Sequence, residues 1–265
     1  MTKKRKIWVI ILAFFFVAVL TSTFFINSTT NSQEKEVELK FGDNFISYVM
    51  ENNDVMSFNI FGVQDIREQD FPIEDQVTAI TFNNPNIKVA DFEVSAGMSL
   101  EGYKLLNILV TVQLSSNSLE TANEILIQFN NGKTTTREFG EMVLQNSNSF
   151  QKAHLAPSGD YKIGYPNLAL DVNIKNTDKQ DINAAKIYDL TEGILYQFKD
   201  SFQITPGEVK HIQIDEFDHK IEHDFMTVTP ILSYSLEGRE YLYNMPGVIY
   251  GILDPDEDKI NKIIN

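Results

Sequence analysis

The sequence predicts an all-β protein behind a membrane-spanning helix, and three observations predict it. Beyond residue 36, apolar and polar residues alternate at period two in run after run, and helical spacing is confined to the last dozen residues. The runs are short and separated by Gly, Pro and Asn turns, at the spacing of a sandwich or barrel. Ahead of them, Ile7 to Ile26 (IWVIILAFFFVAVLTSTFFI) carries no charge.

At about 1.5 Å per residue that run reaches roughly 30 Å, the depth of a bilayer's hydrocarbon layer. Its Leu, Ile, Phe and Val residues each contribute around −0.3 to −0.6 kcal/mol to insertion, which outweighs Thr21, Ser22 and Thr23. Residues 1–6 form a basic tail with Lys3, Lys4, Arg5 and Lys6. A basic flank stays in the cytoplasm, so the expectation is a single-pass signal anchor with everything after it exported. A cleaved secretion signal is the rival, but such cores are about 7–15 residues long and end in small residues, where this run ends in Phe24 and Phe25. Residues 27–35 (NSTTNSQEK) have no apolar side chain to bury and read as a flexible stalk spanning under about 20 Å.

Charge and composition narrow the function. The chain has 22 basic and 37 acidic residues. Four of the basic ones precede the first acid, Glu34, so residues 27–265 hold 18 against 37, a net charge of −19. So acidic a body repels anionic lipid and nucleic-acid phosphate, and no nucleic acid is expected as partner. The absence of cysteine excludes disulfides, cysteine-based zinc sites, thiol nucleophiles and lipidated cysteine.

Strands are expected at Asn44–Met50, Met56–Val63, Val77–Phe82, Val89–Val94, Leu105–Leu114, Glu124–Phe129 and Thr134–Leu144. Asn131-Gly132 between the last two predicts a type I′ hairpin, in which both central residues need positive φ. The pattern lapses at Gln145–Ser149 and resumes at Leu168–Ile174, Ala184–Leu190, Ile194–Phe202, Val209–Ile214, Met226–Ser235 and Glu240–Ile252. Thr205-Pro206-Gly207-Glu208 and Leu236-Glu237-Gly238-Arg239 supply turns. The expectation is two tandem immunoglobulin-like β-sandwich domains, 36–148 and 149–265, each of a size suited to such a sandwich but without the cysteine pair and core tryptophan of antibody domains. The second ends in a short helix: Asp254 as N-cap, Pro255 at N1, Glu257 at N3, and Ile260, Ile263 and Ile264 on the apolar side.

Several strings resemble chemistry. His219-Lys220-Ile221-Glu222-His223 matches the H-x-x-E-H order of inverted zinc peptidases, and on a helix both histidines and Glu222 would face one way; these three are the candidate metal ligands. The competing reading is a solvated connection in which Phe217, Ile221 and Phe225 pack inward. Asp254, Asp256 and Asp258 have calcium-loop spacing, but Lys259 and Asn265 stand where such a loop needs Gly and Glu. Gly132-Lys133-Thr134 lacks the earlier Gly of a phosphate loop, since Ile127 stands there. Ser32-x-x-Lys35 lies in the stalk, and His154 has no nucleophile partner in sequence. Tyr241, Tyr243 and Tyr250, near the last strands, are the candidate protein contact surface. The function expected is a membrane-anchored, extracytoplasmic, non-enzymatic protein-interaction module that needs no cofactor and serves a membrane or cell-envelope assembly. Alternatives are a ligand- or divalent-cation-binding sensory module and an envelope hydrolase.

Overall fold

A period-two pattern requires strands with one face in and one out, and the computed structural model shows them. It describes residues 37–50, 54–68, 70–146, 154–160, 162–163, 169–219, 223–245, 248–250 and 255–265. The anchor and stalk assigned to 7–26 and 27–35 lie outside those residues. Among the described residues no helix is long and apolar enough to cross a membrane.

The first eight strands are β1 (Leu39–Phe41), β2 (Asn44–Met50), β3 (Met56–Asp65), β4 (Val77–Phe82), β5 (Ile87–Leu100), β6 (Tyr103–Leu114), β7 (Glu120–Phe129) and β8 (Thr134–Asn146). Then come β9 (Leu155–Pro157), β10 (Lys162–Ile163), β11 (Leu170–Asn176), β12 (Ile182–Tyr188), β13 (Ile194–Ile204), β14 (Val209–Ile214) and β15 (Asp218–His219). The last are β16 (Phe225–Val228), β17 (Ile231–Leu236), β18 (Arg239–Asn244), β19 (Val248–Tyr250) and the helix α1 (Asp256–Ile264). The all-β class therefore holds, with one short helix at the end.

The strands form four sheets: β1-β3-β6-β5; β19-β16-β2-β8-β7-β4; β10-β11-β14 with β9 also on β11; and β15-β13-β12-β17-β18. Burial follows the alternation. On β6, Leu106, Ile108, Val110 and Val112 are buried, while Asn107, Leu109, Thr111 and Gln113 between them are half-covered. A second core joins Val172, Ile174, Ile212 and Ile214 of the third sheet to Ile182, Ile187, Leu232 and Tyr234 of the fourth.

The boundary expected at 148/149 does not separate two independent domains, because the second sheet crosses it. Strands β16 and β19 come from the far half, and β2 pairs in parallel with β16 on one side and with β8 on the other. Glu38–Asn265 accordingly form one compact unit. Strand β2 is buried on both faces: Phe45 belongs to the second core with Met226 and Val228, while its neighbours Asn44 and Ile46 are 1% exposed. The ladders with β8 and β16 close its edges, and packing on both faces closes the rest, as is usual for parallel strands.

Asn44 ties the sheets together. Its Nδ2 lies 2.8 Å from the Gly42 carbonyl, 3.1 Å from that of Phe61 and 3.0 Å from that of Phe139, so its two hydrogens are shared among three acceptors. Its Oδ1 accepts the Phe61 N–H at 2.9 Å. Gly140 stands opposite with φ +111°, and a Cβ there would come within 2.2 Å of the Asn44 carbonyl oxygen. Only glycine permits that approach. Ser47, fully buried, accepts the Leu190 N–H on Oγ at 3.0 Å and the Thr229 N–H on its carbonyl at 2.8 Å.

The C-terminal helix follows the second half in sequence, where the sequence pattern places it, yet it docks on the first. Ile260 and Ile263 pack with Phe61, Val63 and Leu105 of β3 and β6 and with Phe225 of β16. Helix α1 begins one residue later than expected, at Asp256, with Pro255 as N-cap and no side-chain cap bond. Asp256, Glu257 and Asp258 fill its first turn, where the dipole favours acids. Lys259 is buried with Nζ 3.5 Å from Asp256 Oδ1 and 5.3 Å from the centre of the Phe61 ring.

Two expected strands are each two strands. Thr229-Pro230 divides 226–235 into β16 and β17, which lie in different sheets, since proline has no N–H for a ladder. The run 240–252 likewise holds β18 and β19, on either side of Pro246-Gly247. The hairpin at Asn131-Gly132 forms, but Asn131 does not take positive φ. Gly132 alone does, at +81°, its N–H bonding the Phe129 carbonyl, so the turn starts one residue early and ends in a glycine bulge. The two-residue type I′ geometry appears instead at Glu101-Gly102 and Glu237-Gly238, where both residues have positive φ.

Replacing Asn44 by Leu leaves the Phe61 N–H unpaired and takes the side-chain donor from the Phe139 carbonyl, while the Gly42 and Phe61 carbonyls keep the backbone N–H groups of Asn44 and Gly42; the expected cost is about 2–4 kcal/mol. Because β2 serves both cores, amide exchange at Ile108 and at Ile212 should accelerate together; loss of protection at Ile108 alone would mean that the halves unfold separately. Ile263→Ala should cost about 2–4 kcal/mol in urea unfolding, through the cavity it leaves under α1.

Candidate functional site

The histidine-rich segment comes first. His219 is in strand β15, its backbone paired with Ile194 of β13, so an extended segment stands where the zinc reading needs a helix. The His219 side chain and Glu222 lie outside the described residues. His223 is described, and its ring is engaged: it stacks on Phe45 with centroids 4.4 Å apart and planes 5° apart, and its Nδ1 lies 3.0 Å from Asp43 Oδ2. Asp43 also donates its N–H to Asp224 Oδ2 at 2.9 Å and accepts the N–H groups of Asp224 and Phe225 on its carbonyl. These bonds fasten the residue ahead of β2 to the residues that lead into β16. Among the described residues no group of three or more His, Asp or Glu side chains could hold a metal ion.

The tyrosine surface needs correction. Tyr243 is 3% exposed and belongs to the second core, and burial pushes its hydroxyl up to about 12. Residues two apart on a strand face the same way, so Tyr241 turns inward with it and packs on the same core. Its ring stacks on Tyr234 at 5.6 Å and meets the His154 ring edge-on at 4.6 Å. The Tyr250 backbone pairs with Met226 in β19, and its side chain is outside the described residues.

Sequence reasoning missed the partner of His154, which lies 80 residues away: Nδ1 is 2.9 Å from the Tyr234 hydroxyl, and Nε2 is 3.9 Å from Asp178 Oδ2. Acid, imidazole and hydroxyl stand in a row, as in a nucleophilic relay, but the chemistry runs the other way. Tyr234 is 1% exposed and desolvation raises its pKa, so it stays a neutral hydrogen-bonding phenol that no substrate reaches.

A second constellation surrounds Glu120, at the start of β7. Its carboxylate accepts from Ser116 Oγ, from Ser118 Oγ at 2.7 Å, from Asn84 Nδ2 at 2.8 Å and from Asn86 Nδ2 at 3.1 Å. Those donors, Ser116 first, outweigh desolvation and hold Glu120 down from 4.5 to about 2. This anion pins the β4–β5 and β6–β7 connections together. The runs Asn83-Asn84-Pro85-Asn86 and Ser115-Ser116-Asn117-Ser118 are visible in sequence as donor-rich turns, but nothing in them names Glu120 as acceptor.

What remains open is backbone. Strand β5 forms one edge of the first sheet and is the longest edge strand among the described residues, with Asp91 and Glu93 exposed and Phe92, Val94 and Ala96 half-covered.

No protein-family model and no curated protein matches this sequence. Solved structures similar to it include the C-terminal domain of the AgI/II polypeptide BspA of Streptococcus agalactiae, at 8% identity and TM-score 0.20, covering 81% of this chain and 99% of that one. Another is BspA_C_WT, at 9% identity and TM-score 0.18, covering 80% of this chain and 99% of that one. At these scores the likeness carries no argument about fold or function.

Glu120→Gln tests the buried anion. A carboxylate with a lowered folded pKa stabilises the fold above its unfolded value and loses that contribution as pH falls towards the folded one. The substitution should cost about 1–3 kcal/mol at pH 7, and the gap to the parent protein should close between about pH 4.5 and pH 2. A gap independent of pH, measured by urea unfolding across that range, would contradict the assignment.

Proposed function

We propose that this chain is a single-pass, membrane-anchored protein whose all-β unit stands outside the cytoplasm and binds another protein of the membrane or envelope, without chemistry of its own. The observation that carries the reading is the order along the chain: Lys3–Lys6, the charge-free run Ile7–Ile26, a polar stretch, and then a folded unit that starts at Glu38. Support also comes from how the described polar clusters spend their groups. Glu120, His223 and the His154–Tyr234 pair are all taken up in internal bonds that fasten loops and strands. The immunoglobulin-like sandwich is part of the same reading: the first half has eight described strands, within the range of such a sandwich, and β16 and β19 of the far half extend one of its sheets.

The experiment is topological. Full-length chain expressed in cells should stay with membranes through an alkaline carbonate wash, and protease added to intact cells should remove the all-β unit. Recovery from the soluble cytosol, or complete protection in intact cells, would overturn the proposal.

A further inference from the structure

We propose that the edge of β5, over Asp91–Ala96, takes up an extended segment of a partner polypeptide that alternates basic and apolar residues, as a fifth strand on the first sheet. The inference rests on the protein-interaction reading above and names the site and its partner's chemistry.

Two irregularities bracket that stretch. The register against β6 shifts between Val89 and Asp91 and again between Ala96 and Ser99, while the six pairs from Asp91↔Thr111 to Ala96↔Leu106 run without a break. Six residues is an ordinary strand length, and the flanking bulges twist the rest of the edge away from indiscriminate pairing. The phase of the ladder follows from two bonds. The Ser115 N–H bonds the Asn86 carbonyl at 3.0 Å, and the Phe92 N–H bonds not β6 but its neighbour's carboxylate, Asp91 Oδ1, at 2.9 Å. In an antiparallel ladder alternate residues pair inward, so Asp91, Glu93 and Ser95 pair with β6, and the main-chain groups of Phe92, Val94 and Ala96 point outward.

Side chains define the occupant. Phe92, Val94 and Ala96 lie on the core-facing side but are only half-covered, so alternate residues of an added strand would complete the apolar row. The other face presents exposed Asp91 and Glu93. Near the far end, Glu101 is exposed, and α1 packs against β5 with its first turn of Asp256, Glu257 and Asp258; Asp256 Oδ2 comes to 3.1 Å from where a Gly97 Cβ would stand. Lysine or arginine at the remaining positions of the incoming strand answers those charges. Main-chain bonds would give affinity and the alternation specificity, as in strand addition generally. A second copy of β5 would set like charges beside one another instead.

The test uses the full chain in detergent and a labelled peptide of four Lys-Val repeats, with Glu-Val and Lys-Gly repeats of equal length as controls. Fluorescence anisotropy should show the Lys-Val peptide binding at least about tenfold more tightly than either control, with amide exchange slowed at Val94 and Ala96. Val94→Pro removes an outward N–H and no β6 bond, so it should weaken binding about tenfold with the net charge unchanged. The exposed pair Asp91→Lys/Glu93→Lys, which removes no buried side chain and only the Asp91 bond to the outward Phe92 N–H, should invert the preference between Lys-Val and Glu-Val. Binding indifferent to both variants, or self-association through the same stretch, overturns the proposal. Cross-linking in native membranes separates it from the wider reading. A partner still captured by Val94→Pro refutes the edge and leaves the interaction module standing, whereas peptide binding as expected without any captured partner supports the edge and removes that module's envelope role.

Discussion

The structure depends on one strand being enclosed. β2 has a parallel neighbour on each side and a core on each face, and it begins with an asparagine whose amide is shared by two sheets. A buried amide is costly unless all its bonds are made, and Asn44 makes them with the carbonyls of Gly42, Phe61 and Phe139 and the N–H of Phe61. Once β2 is held there, β16 can lie beside it, Phe225 can reach the outer face of β3, and α1 finds the apolar floor on which Ile260 and Ile263 close. The far end of the chain thus completes the near end.

Polar groups in the described unit are used chiefly as fasteners. Asp189, fully buried, accepts the N–H groups of Thr191 and Ile194 and the Thr191 hydroxyl; Glu120 binds two loops; Asp43 and His223 join the segments that lead into two parallel strands. Each side chain has the composition of a reactive group and the surroundings of a structural one. Tyr234 makes the point most sharply, because the burial that brings it to His154 also raises its pKa, the wrong direction for a nucleophile. Backbone is left at the sheet edges, and β5 is the longest edge strand among the described residues.

The strands were legible because their alternation is local: β2, β4 and β14 run between the residues at which the pattern starts and stops. Turn chemistry was legible in kind but not in detail. Asn131-Gly132 promised a two-residue turn and made a bulged one, while Glu237-Gly238 adopted the geometry expected of the other. Pro230 was the visible warning that 226–235 could not be one strand, and the apolar run on either side of it obscured the warning. The tyrosine row failed for a related reason: period two says that Tyr241 and Tyr243 share a face, but not whether that face is a core or a surface. The short strands β1, β9, β10 and β15 contain too few residues for any period to show.

By itself, the sequence determined that the chain is a β protein with a charge-free run ahead of it, a strongly acidic balance, no cysteine chemistry and a helix near its end. Those properties follow from composition and from interactions within a few residues. Only the tertiary structure decided which strands are neighbours: that β2 takes β16 of the far half as well as β8 of its own, that α1 covers β3, that His154 meets Tyr234, and that β5 is left at an edge. The physical reason is that a strand's hydrogen-bonding groups are the same along every chain, so pairing is chosen by shape and burial across long separations, which no local pattern records.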